Sequence, residues 1–410
     1  MRRIAWLLLL LFAFTIPWEY SLELGEPLGN IARVVGLLVL LAAIPALLQS
    51  GRVRNLGPMQ WLVLAFFLWF SCTYFWSIEP LETMARLRGY FQELMIVWLV
   101  WELAENARDL RALFRVYVAG SWVLAVLTVA NFASAEAIAD AQVRFAAIGQ
   151  DPNDVARFLD LGFPLAALLL NSERRWGWRL LAAGYLPLGL LGVLLTASRG
   201  GFLAAIVALI GSGLLLVYGH PKRLLAGALA LPGLAAALWF IVPRESLERL
   251  ATIPEQLQGG DLNQRLNIWT AGWHAFVRAP FLGTGADSFV SAAGLGPIDT
   301  AHNTALSIAV TGGLVALFLA TAIVAAAIWS IVQTRGPLKW AIVVALLVWL
   351  TTSLIATVEE SRTTWLLLAI IALAGRLGAE QPEELAVCFP DAASRCELPA
   401  PAGPVLSTGD

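Results

Sequence analysis

The sequence predicts an all-α polytopic membrane protein, with about 12 transmembrane helices and one large loop that contains short helices. Hydrophobic residues make up 59% of its 410 positions and charged residues only 14%, whereas about a quarter of a typical soluble domain is charged. Apolar stretches long enough to cross a bilayer recur from residue 4 to residue 378. The net charge of -2 says nothing about partners, so the positions of the charges are more informative than their sum.

Apolar stretches of about 16 to 30 residues match the ~20 residues that a spanning helix needs. They cover residues 4–22, 28–48, 59–76, 88–104, 112–132, 154–171, 179–197, 200–218, 222–242, 303–332, 338–357 and 363–378. The first stretch resembles a signal peptide. However, no cleavage site follows, and Trp18 and Tyr20 suit a membrane interface, so we expect an uncleaved span.

These spans divide the chain into four regions. Residues 1–242 form transmembrane helices one to nine, and residues 243–302 form the large loop with an amphipathic helix. Residues 303–378 form helices ten to twelve. The tail, 379–410, is rich in Pro, Ala and Glu and is predicted to be disordered.

The basic residues indicate the orientation of these helices. Every second loop contains Arg or Lys, whereas the loop WEYSLELGEPLGN after the first span contains neither. Because Lys and Arg accumulate in cytoplasmic loops, we expect both termini to be cytoplasmic and the 243–302 loop to lie on the outer side.

One arginine contradicts this charge bias. Arg199 lies in LLTASRGGFL, inside an apolar run from Leu180 to Val217. That run would form a helix of about 57 Å, which suits two spans. The segment Ser198-Arg199-Gly200-Gly201 is therefore predicted to be the outer turn, with its glycines letting the chain reverse.

Arg199 is one of several arginines on the outer side, whereas both lysines, Lys222 and Lys339, are inside. The others are Arg86, Arg88, Arg144, Arg157, Arg265 and Arg362. Arginine without lysine favours bidentate recognition of an anion such as phosphate. The alternative is that these side chains snorkel or pair with Glu and Asp.

The large loop contains the amphipathic stretch NQRLNIWTAGWHAFVR. Its apolar residues recur at three- and four-residue steps, at Leu266, Trp269, Trp273 and Phe276 or Val277. Asn263 is predicted to cap this helix. Arg265 lies in the first turn, where the helix dipole disfavours a cation. A lipid-borne phosphate would suit Arg265 as a partner.

Polar residues also collect where three spans begin or end on the outer side. His302, whose imidazole titrates near neutral pH, precedes the tenth span, and its structural alternative is a cap formed with Asn303. In GQDPNDVAR, Asp151 and Pro152 suit a cap and a first helical residue. Capping leaves Asn153, Asp154 and Arg157 unexplained. The turn VEESRTTW contributes Glu359, Glu360 and Arg362, for which pairing among themselves is the alternative.

Several motifs are missing from the sequence. It has no Asp-x-Asp pair, no zinc-like His/Cys cluster and no P-loop. The spacing of Cys72, Cys388 and Cys396 fits no metal site. We therefore expect a chemistry without metal or other cofactor.

Together these segments resemble the O-antigen ligase family, a membrane superfamily that also includes repeat-unit polymerases and protein O-oligosaccharyltransferases. The resemblance covers most of the chain, including the large loop between the ninth and tenth spans. Its motifs are Ser198-Arg199-Gly200-Gly201, Arg265 with Ile268-Trp269, Pro280 with Gly283, Gly285 and Phe289, and His302-Asn303 followed by Gly312-Gly313. GQDPND is similar to the family's Asn-Pro-Asn-like segment, with Asp151 in place of the first Asn.

The resemblance implies a glycosyltransferase of the bacterial inner membrane with its active site facing the periplasm. The donor would be a glycan on undecaprenyl diphosphate, and the acceptor of a ligase would be a lipid A-core sugar. By family analogy, Arg199 and Arg265 would hold the diphosphate, and His302 would position or deprotonate the acceptor hydroxyl. We expect membrane lipid, and no nucleic acid, among the other partners. The expected supporting residues are Asn153, Asp154, Arg157, Arg86, Arg88, Asn303, Glu360 and Arg362.

The residue chemistry agrees with this expectation. Two guanidinium groups would stabilise the charge that builds on the leaving diphosphate, and loss of one such donor costs roughly 3–4 kcal/mol at comparable sites. A single displacement would invert the anomeric carbon. The carboxylates of Asp154 and Glu360 stay open as alternative participants.

Two other functions remain open. A repeat-unit polymerase would use the same donor site with a second lipid-linked glycan as acceptor. The ligase is favoured because the sequence has a single large loop of moderate length, before the tenth span, and no second large loop. A transporter of lipid-linked or anionic substrates would need polar residues at mid-membrane depth, whereas most spans here are apolar through the middle.

Overall fold

The computed structural model describes residues 1–25, 28–51, 53–134, 144–218, 221–260, 264–296 and 300–390. Apart from an isolated bridge between Glu23 and Asn30, the regular structure in these ranges is helical. This confirms the predicted all-α fold.

Each predicted span coincides with a helix. Before the large loop these helices are α1 (Arg2–Thr15, continued by a 3₁₀ helix, Ile16–Ser21), α2 (Ile31–Ser50), α3 (Pro58–Thr73), α4 (Pro80–Leu103), α5 (Ala107–Ser134), α6 (Pro152–Ser172), α7 (Trp176–Leu195), α8 (Arg199–Val217) and α9 (Pro221–Ile241). The loop itself contains α10 (Arg244–Ala251), α11 (Ile253–Gln258), α12 (Arg265–Arg278) and α13 (Phe289–Ala293). The chain continues with α14 (Thr304–Val332), α15 (Gly336–Ser353), α16 (Arg362–Glu380) and α17 (Pro382–Cys388).

Ten of the helices in the described ranges are long and apolar enough to cross a membrane, as expected of a multi-pass membrane protein. The two predicted spans outside this group are α3 and α4. Helix α3 has only 16 residues, and α4 contains five charged side chains. The count of twelve spans and their orientation remain predictions. The end of the bundle that carries α10–α13 is called the loop end below.

Side-chain caps fix where the important helices begin at the loop end. Asn30 accepts a hydrogen bond from the backbone of Arg33 at the start of α2, and Asp151 accepts one from Asn153 at the start of α6. Ser198 caps α8 by accepting from Gly201. Asn303 caps α14 by accepting from Leu306. Each cap satisfies a backbone N–H that has no partner within the first turn.

Two helices form the centre of the bundle. Helix α6 packs against α7, α8 and α15, and α16 packs against α4 and α14. Both are buried on almost every face, as α6 shows at Leu159, Phe163 and Leu168. The polar residues at the starts of α6 and α16 therefore meet near the middle of the loop end.

The turn between α7 and α8 divides the long apolar run into two helices, as predicted, but its glycines do not reverse the chain. Ala197 takes the left-handed conformation, with φ 48°, while Gly200 and Gly201 already belong to α8. A side chain at Gly201 would overlap the Cβ of Ala156 on α6. Gly201 is thus needed for the close packing of α8 on α6.

The Gly283-x-Gly285 segment packs closely against the kink in α14. Helix α14 is kinked at Gly313, where φ is 67° and ψ is -168°. The kink leaves two carbonyl groups of α14 without helical partners. The carbonyl of Val310 accepts from the backbone of Thr284 (3.0 Å), and that of Thr311 accepts from Gly285 (2.9 Å). The end of the large loop is fastened to α14 in this way.

The predicted amphipathic helix is α12, but its apolar side chains divide between two faces. Ile268, Gly272 and Ala275 are buried, and Ile268 and Ala275 belong to a small core that includes Val310 of α14. Trp273 and Val277 are exposed. The predicted cap, Asn263, lies outside the described residues. Gln264, in a left-handed conformation with no side-chain cap, precedes α12.

The prediction of a disordered tail is wrong for its first part. Helix α16 continues to Glu380, and α17 packs against α5 and α16. Leu385, Cys388 and Phe389 of this segment are buried. These apolar side chains explain why the segment folds despite its acidic neighbours. Residues 391–410 lie outside the described residues.

Candidate active site

A cavity of about 490 Å³ opens at the loop end. Its walls come from the starts of α4, α6 and α12, from the segment before α14 and from the α15–α16 turn. Seven of the predicted site residues line it: Arg265, His302, Asn153, Asp154, Arg157, Arg86 and Glu360. Tyr20, Asp151 and Asp287 also line it. The structure thus brings together residues that are far apart in the sequence.

Three arginines next to this cavity, and Arg144 beside them, have no carboxylate partner among the described residues. Arg199 donates through Nε to the backbone oxygen of Arg249 (3.2 Å), and Arg249 donates through Nε to the backbone oxygen of Ala197 (3.2 Å). Across the part of the chain that the structure describes, neither of them nor Arg265 forms an ion pair. Arg199, Arg249 and Arg265 are called the unpaired arginines below.

The electrostatics show that the unpaired arginines are close together. Burial lowers the pKa of the Arg265 guanidinium, and the charge of Arg199 lowers it further. The same two causes lower the pKa of Arg249. Like charges repel, and a half-buried cation without a counter-ion is unfavourable. The cluster is therefore suited to an anion with several oxygens.

Arg144 lies at the edge of this cluster. Burial lowers its pKa, Asp151 opposes that change, and the three unpaired arginines add to it. Its Nη2 donates to Oδ1 of Asn153 (2.8 Å) and its Nε donates to the backbone oxygen of Thr196 (3.1 Å). Arg144 is thus held by neutral acceptors.

Asn153 connects the starts of two helices. Its Oδ1 accepts from Arg144 and also from Oγ of Ser198 (2.8 Å). Ser198 in turn caps α8, whose first residue is Arg199. Asn153 therefore positions the arginine cluster. This explains the presence of Asn153, which helix capping by Asp151 did not.

A second set of arginines is neutralised within the protein. Arg157 pairs with Asp154 at 3.1 Å. Arg86 pairs with Glu360, and Arg362 pairs with Glu19. Arg86, Arg157 and Arg362 are called the paired arginines below. They bind carboxylates of the protein, which was the alternative to anion binding in the sequence analysis.

Four predicted site residues are not part of the cavity lining. Arg199 belongs to the arginine cluster next to it, and the other three are the supporting residues Arg362, Arg88 and Asn303. Arg362 is turned toward Glu19 and Gln92. Arg88 lines a groove between α2 and α4. Asn303 caps α14 and donates to the backbone oxygen of Leu354 (3.1 Å). Sequence position put them on the correct end of the bundle but could not give the direction of the side chains.

His302 lies in the wall of the cavity in a strained backbone conformation. Its φ is 47°, which is uncommon for a residue other than glycine. Its Nδ1 lies 3.3 Å from Oγ1 of Thr300. The neighbouring Ala301 is fixed because its carbonyl accepts from Trp269 Nε1 (3.1 Å). Capping of α14 belongs to Asn303 alone, so it does not account for His302.

Two acidic residues beside the cavity have raised pKa values. Burial, and then the charge of Glu360, raises the pKa of Glu359 to about 8. Burial also raises the pKa of Glu360, while Arg86 opposes that change. Folding therefore favours the protonated form of Glu359, whereas the carboxyl of Glu360 is bound by Arg86.

Sequence reasoning missed Arg249 as a site residue. Its only signal was that it is an arginine in the large loop. The structure shows that Arg249 reaches the α7–α8 turn. No group of three or more His, Cys, Asp or Glu in the described ranges is arranged to hold a metal ion.

Comparison with protein families gives a match to part of the chain. A family described as O-Antigen ligase matches residues 184–321, about a third of the chain. This segment contains the three unpaired arginines and His302, whereas the paired arginines lie outside it. No curated protein matched the chain. The match confirms the resemblance across residues 184–321 and supports a glycosyltransferase-like function, of the ligase or polymerase kind.

Proposed function

We propose that this chain, which carries an O-antigen ligase family domain across residues 184–321, moves a glycan from undecaprenyl diphosphate to a lipid A-core sugar. The reaction takes place at the periplasmic face of the bacterial inner membrane. The observation that carries the proposal is the cluster of three unpaired arginines beside a polar cavity that His302 lines.

The unpaired arginines bind the donor diphosphate and stabilise its departure. When the bond between the anomeric carbon and the phosphate oxygen breaks, its electron pair goes to the diphosphate. Guanidinium groups that are already in place stabilise that charge without reorganising. The reciprocal hydrogen bonds of Arg199 and Arg249 to backbone oxygens hold the two side chains in position.

His302 acts on the acceptor hydroxyl. In the tautomer whose Nδ1–H donates to Thr300, Nε2 carries the lone pair that accepts the hydroxyl proton. A base in this role typically contributes ~10²–10⁴-fold to the rate. The acceptor oxygen then attacks the anomeric carbon from the side opposite the diphosphate. A single displacement inverts that carbon.

The arrangement of the carboxylates supports inversion. A retaining reaction needs a carboxylate nucleophile at the anomeric carbon. Asp154 and Glu360 are the carboxylates considered for that role, and each is bound to an arginine. We also propose that transfer needs no metal, because the arginines supply the positive charge. Turnover that disappears on chelation and returns with magnesium would contradict this.

The placement of the polar groups favours an enzyme over a transporter. The cavity is lined by residues at helix starts and in turns at one end of the bundle. A transporter would be expected to have its binding site near the membrane midplane. Ligase and polymerase are separated by deleting the gene and analysing the lipopolysaccharide. Ligase loss leaves free core and accumulates lipid-linked polymer, whereas polymerase loss leaves core with one repeat unit.

The direct test is transfer by the purified chain with lipid-linked donor and core acceptor. Arg265→Lys keeps the charge but loses the planar fork, so turnover should fall by about 10²-fold. Arg278→Lys is the matched control, because Arg278 is exposed in the last turn of the same helix. It should keep wild-type turnover. Equal turnover of both variants would refute the proposed role of Arg265.

A further inference from the structure

An apolar groove of about 580 Å³ lies between α2 and α4, apart from the central cavity. Leu37 and Leu40 of α2 face Phe91, Met95 and Leu99 of α4 across it. It opens to the side of the bundle, since the side chains of Leu37 and Phe91 are 57% and 45% exposed. A groove of this composition on a membrane protein is suited to a hydrocarbon chain.

Two exposed arginines, Arg33 and Arg88, stand at the loop end of this groove. In the described part of the chain neither forms an ion pair, unlike Arg86 one half-turn earlier on α4. Arg33 lies in the first turn of α2, where the helix dipole disfavours a cation and favours an anion. Its guanidinium folds over Gly29, where an added Cβ would come within 3.1 Å of Nη1. This mouth is complementary to a phosphate group.

The groove and the candidate active site each share lining residues with a third pocket. This pocket, of about 540 Å³, shares Arg33, Arg88 and Gln92 with the groove. It shares Tyr20 with the central cavity. A lipid whose chain lies in the groove could therefore place its headgroup on the arginines and extend a sugar past Tyr20.

We propose that this groove holds the acceptor, a phosphorylated glycolipid. Its hydrocarbon chain lies between α2 and α4, and its phosphate is bound by Arg33 and Arg88. The inference rests on the proposed function, because a transfer between two membrane-anchored substrates needs two lateral binding sites. The donor diphosphate is assigned to the unpaired arginines on α8, α10 and α12. Arg33 on α2 and Arg88 on α4 form a second pair of arginines without carboxylate partners. Because the donor already has a site, we assign this second site to the acceptor.

The test measures binding and turnover separately on the full chain. Native mass spectrometry gives the occupancy of lipid A-core, of the same glycolipid without phosphate, and of phosphatidylglycerol. Steady-state kinetics give KM for acceptor and donor. The variants are Arg33→Gln/Arg88→Gln and the groove-filling Leu37→Trp. Their controls are Arg174→Gln/Arg175→Gln, at two exposed arginines before α7, and Leu41→Trp, at a residue of α2 that is 59% exposed and outside the groove.

The double arginine variant should raise the acceptor KM about tenfold and leave the donor KM unchanged. It should also lose the preference for phosphorylated over unphosphorylated glycolipid. Leu37→Trp should weaken glycolipid binding, whereas both controls should match the wild type. An unchanged acceptor KM and occupancy, a rise in the donor KM alone, or phosphatidylglycerol binding as tightly as the glycolipid would each overturn the assignment. Occupancy is measured without turnover. A failure of the groove assignment can therefore be told apart from a failure of the proposed function, which would appear as unimpaired transfer by Arg265→Lys.

Discussion

The unpaired and the paired arginines lie at the same end of the bundle, but their partners differ. Arg86, Arg157 and Arg362 are each bound by a carboxylate of this chain. Arg199 and Arg249 donate to backbone oxygens instead, and Arg265 has no ion pair among the described residues. An arginine whose charge is already balanced is part of the scaffold. One whose charge is left for a ligand belongs to the binding site.

This difference changes the meaning of the charge bias in the sequence. All seven arginines predicted near the outer face suggested anion recognition as one set. The structure divides them according to whether a carboxylate lies within reach. Position on the disfavoured side of the membrane is therefore insufficient to identify an anion site, because a buried carboxylate explains the arginine equally well.

The largest expected effect separates proton transfer from donor binding. His302→Ala should lower turnover by about 10²–10⁴-fold, because the acceptor hydroxyl loses its base. Donor binding should stay as in the wild type, since the unpaired arginines are intact. Transfer assays together with a donor-binding measurement check this. Wild-type turnover in His302→Ala would show that the proton leaves to another group, with Asp154 and Glu360 as the next candidates.

The next effect should appear in stability rather than in chemistry. Arg362→Gln leaves the buried carboxyl of Glu19 without its partner, and breaking a buried pair in this way costs about 3–5 kcal/mol. Its Tm in detergent should therefore fall well below that of Arg265→Gln, in which no ion pair is broken. Glu19→Gln/Arg362→Gln should recover much of the loss. If Arg265→Gln is destabilised as much as Arg362→Gln, the division into two groups is incorrect.

The smallest effect over a single pH unit concerns the pH dependence of stability near the paired arginines. The pKa of Glu359 is about 8 in the folded chain, against an ordinary value of 4.5. Its protonated form is therefore favoured by folding, and this stabilisation is complete below about pH 4.5. It is lost as the pH rises to about 8, by up to about 1.4 kcal/mol per pH unit.

Thermal unfolding between these pH values tests that sign. The Tm of the wild type should fall as the pH rises, and Glu359→Gln should show a flatter curve because residue 359 no longer titrates. A wild-type Tm that rises over the same range would contradict a raised pKa at Glu359.

Composition predicted the helices because each span must be apolar on its own, whatever its neighbours. Motif position also brought His302 and Arg265 to the cavity. The partners of the arginines were beyond sequence reasoning, because they depend on how the bundle is assembled. Arg362 meets Glu19 across 343 positions. Arg249 reaches the turn at Ala197 only because α10 folds back onto α7 and α8. The glycines of the α7–α8 turn were misinterpreted for the same reason, since Gly201 packs against Ala156 of α6 and Gly200 against Ile355 after α15.

The central claim is that the unpaired arginines hold the donor diphosphate, and Arg249 tests it most directly. The measurement is the Kd of the purified chain for undecaprenyl-diphosphate-linked glycan, compared between Arg249→Gln and Glu19→Gln/Arg362→Gln. Loss of a charge-assisted contact should raise the Kd of Arg249→Gln about tenfold or more. The Kd of the double variant should stay close to the wild-type value. A Kd that is unchanged in Arg249→Gln, or equally weakened in both variants, would contradict the claim.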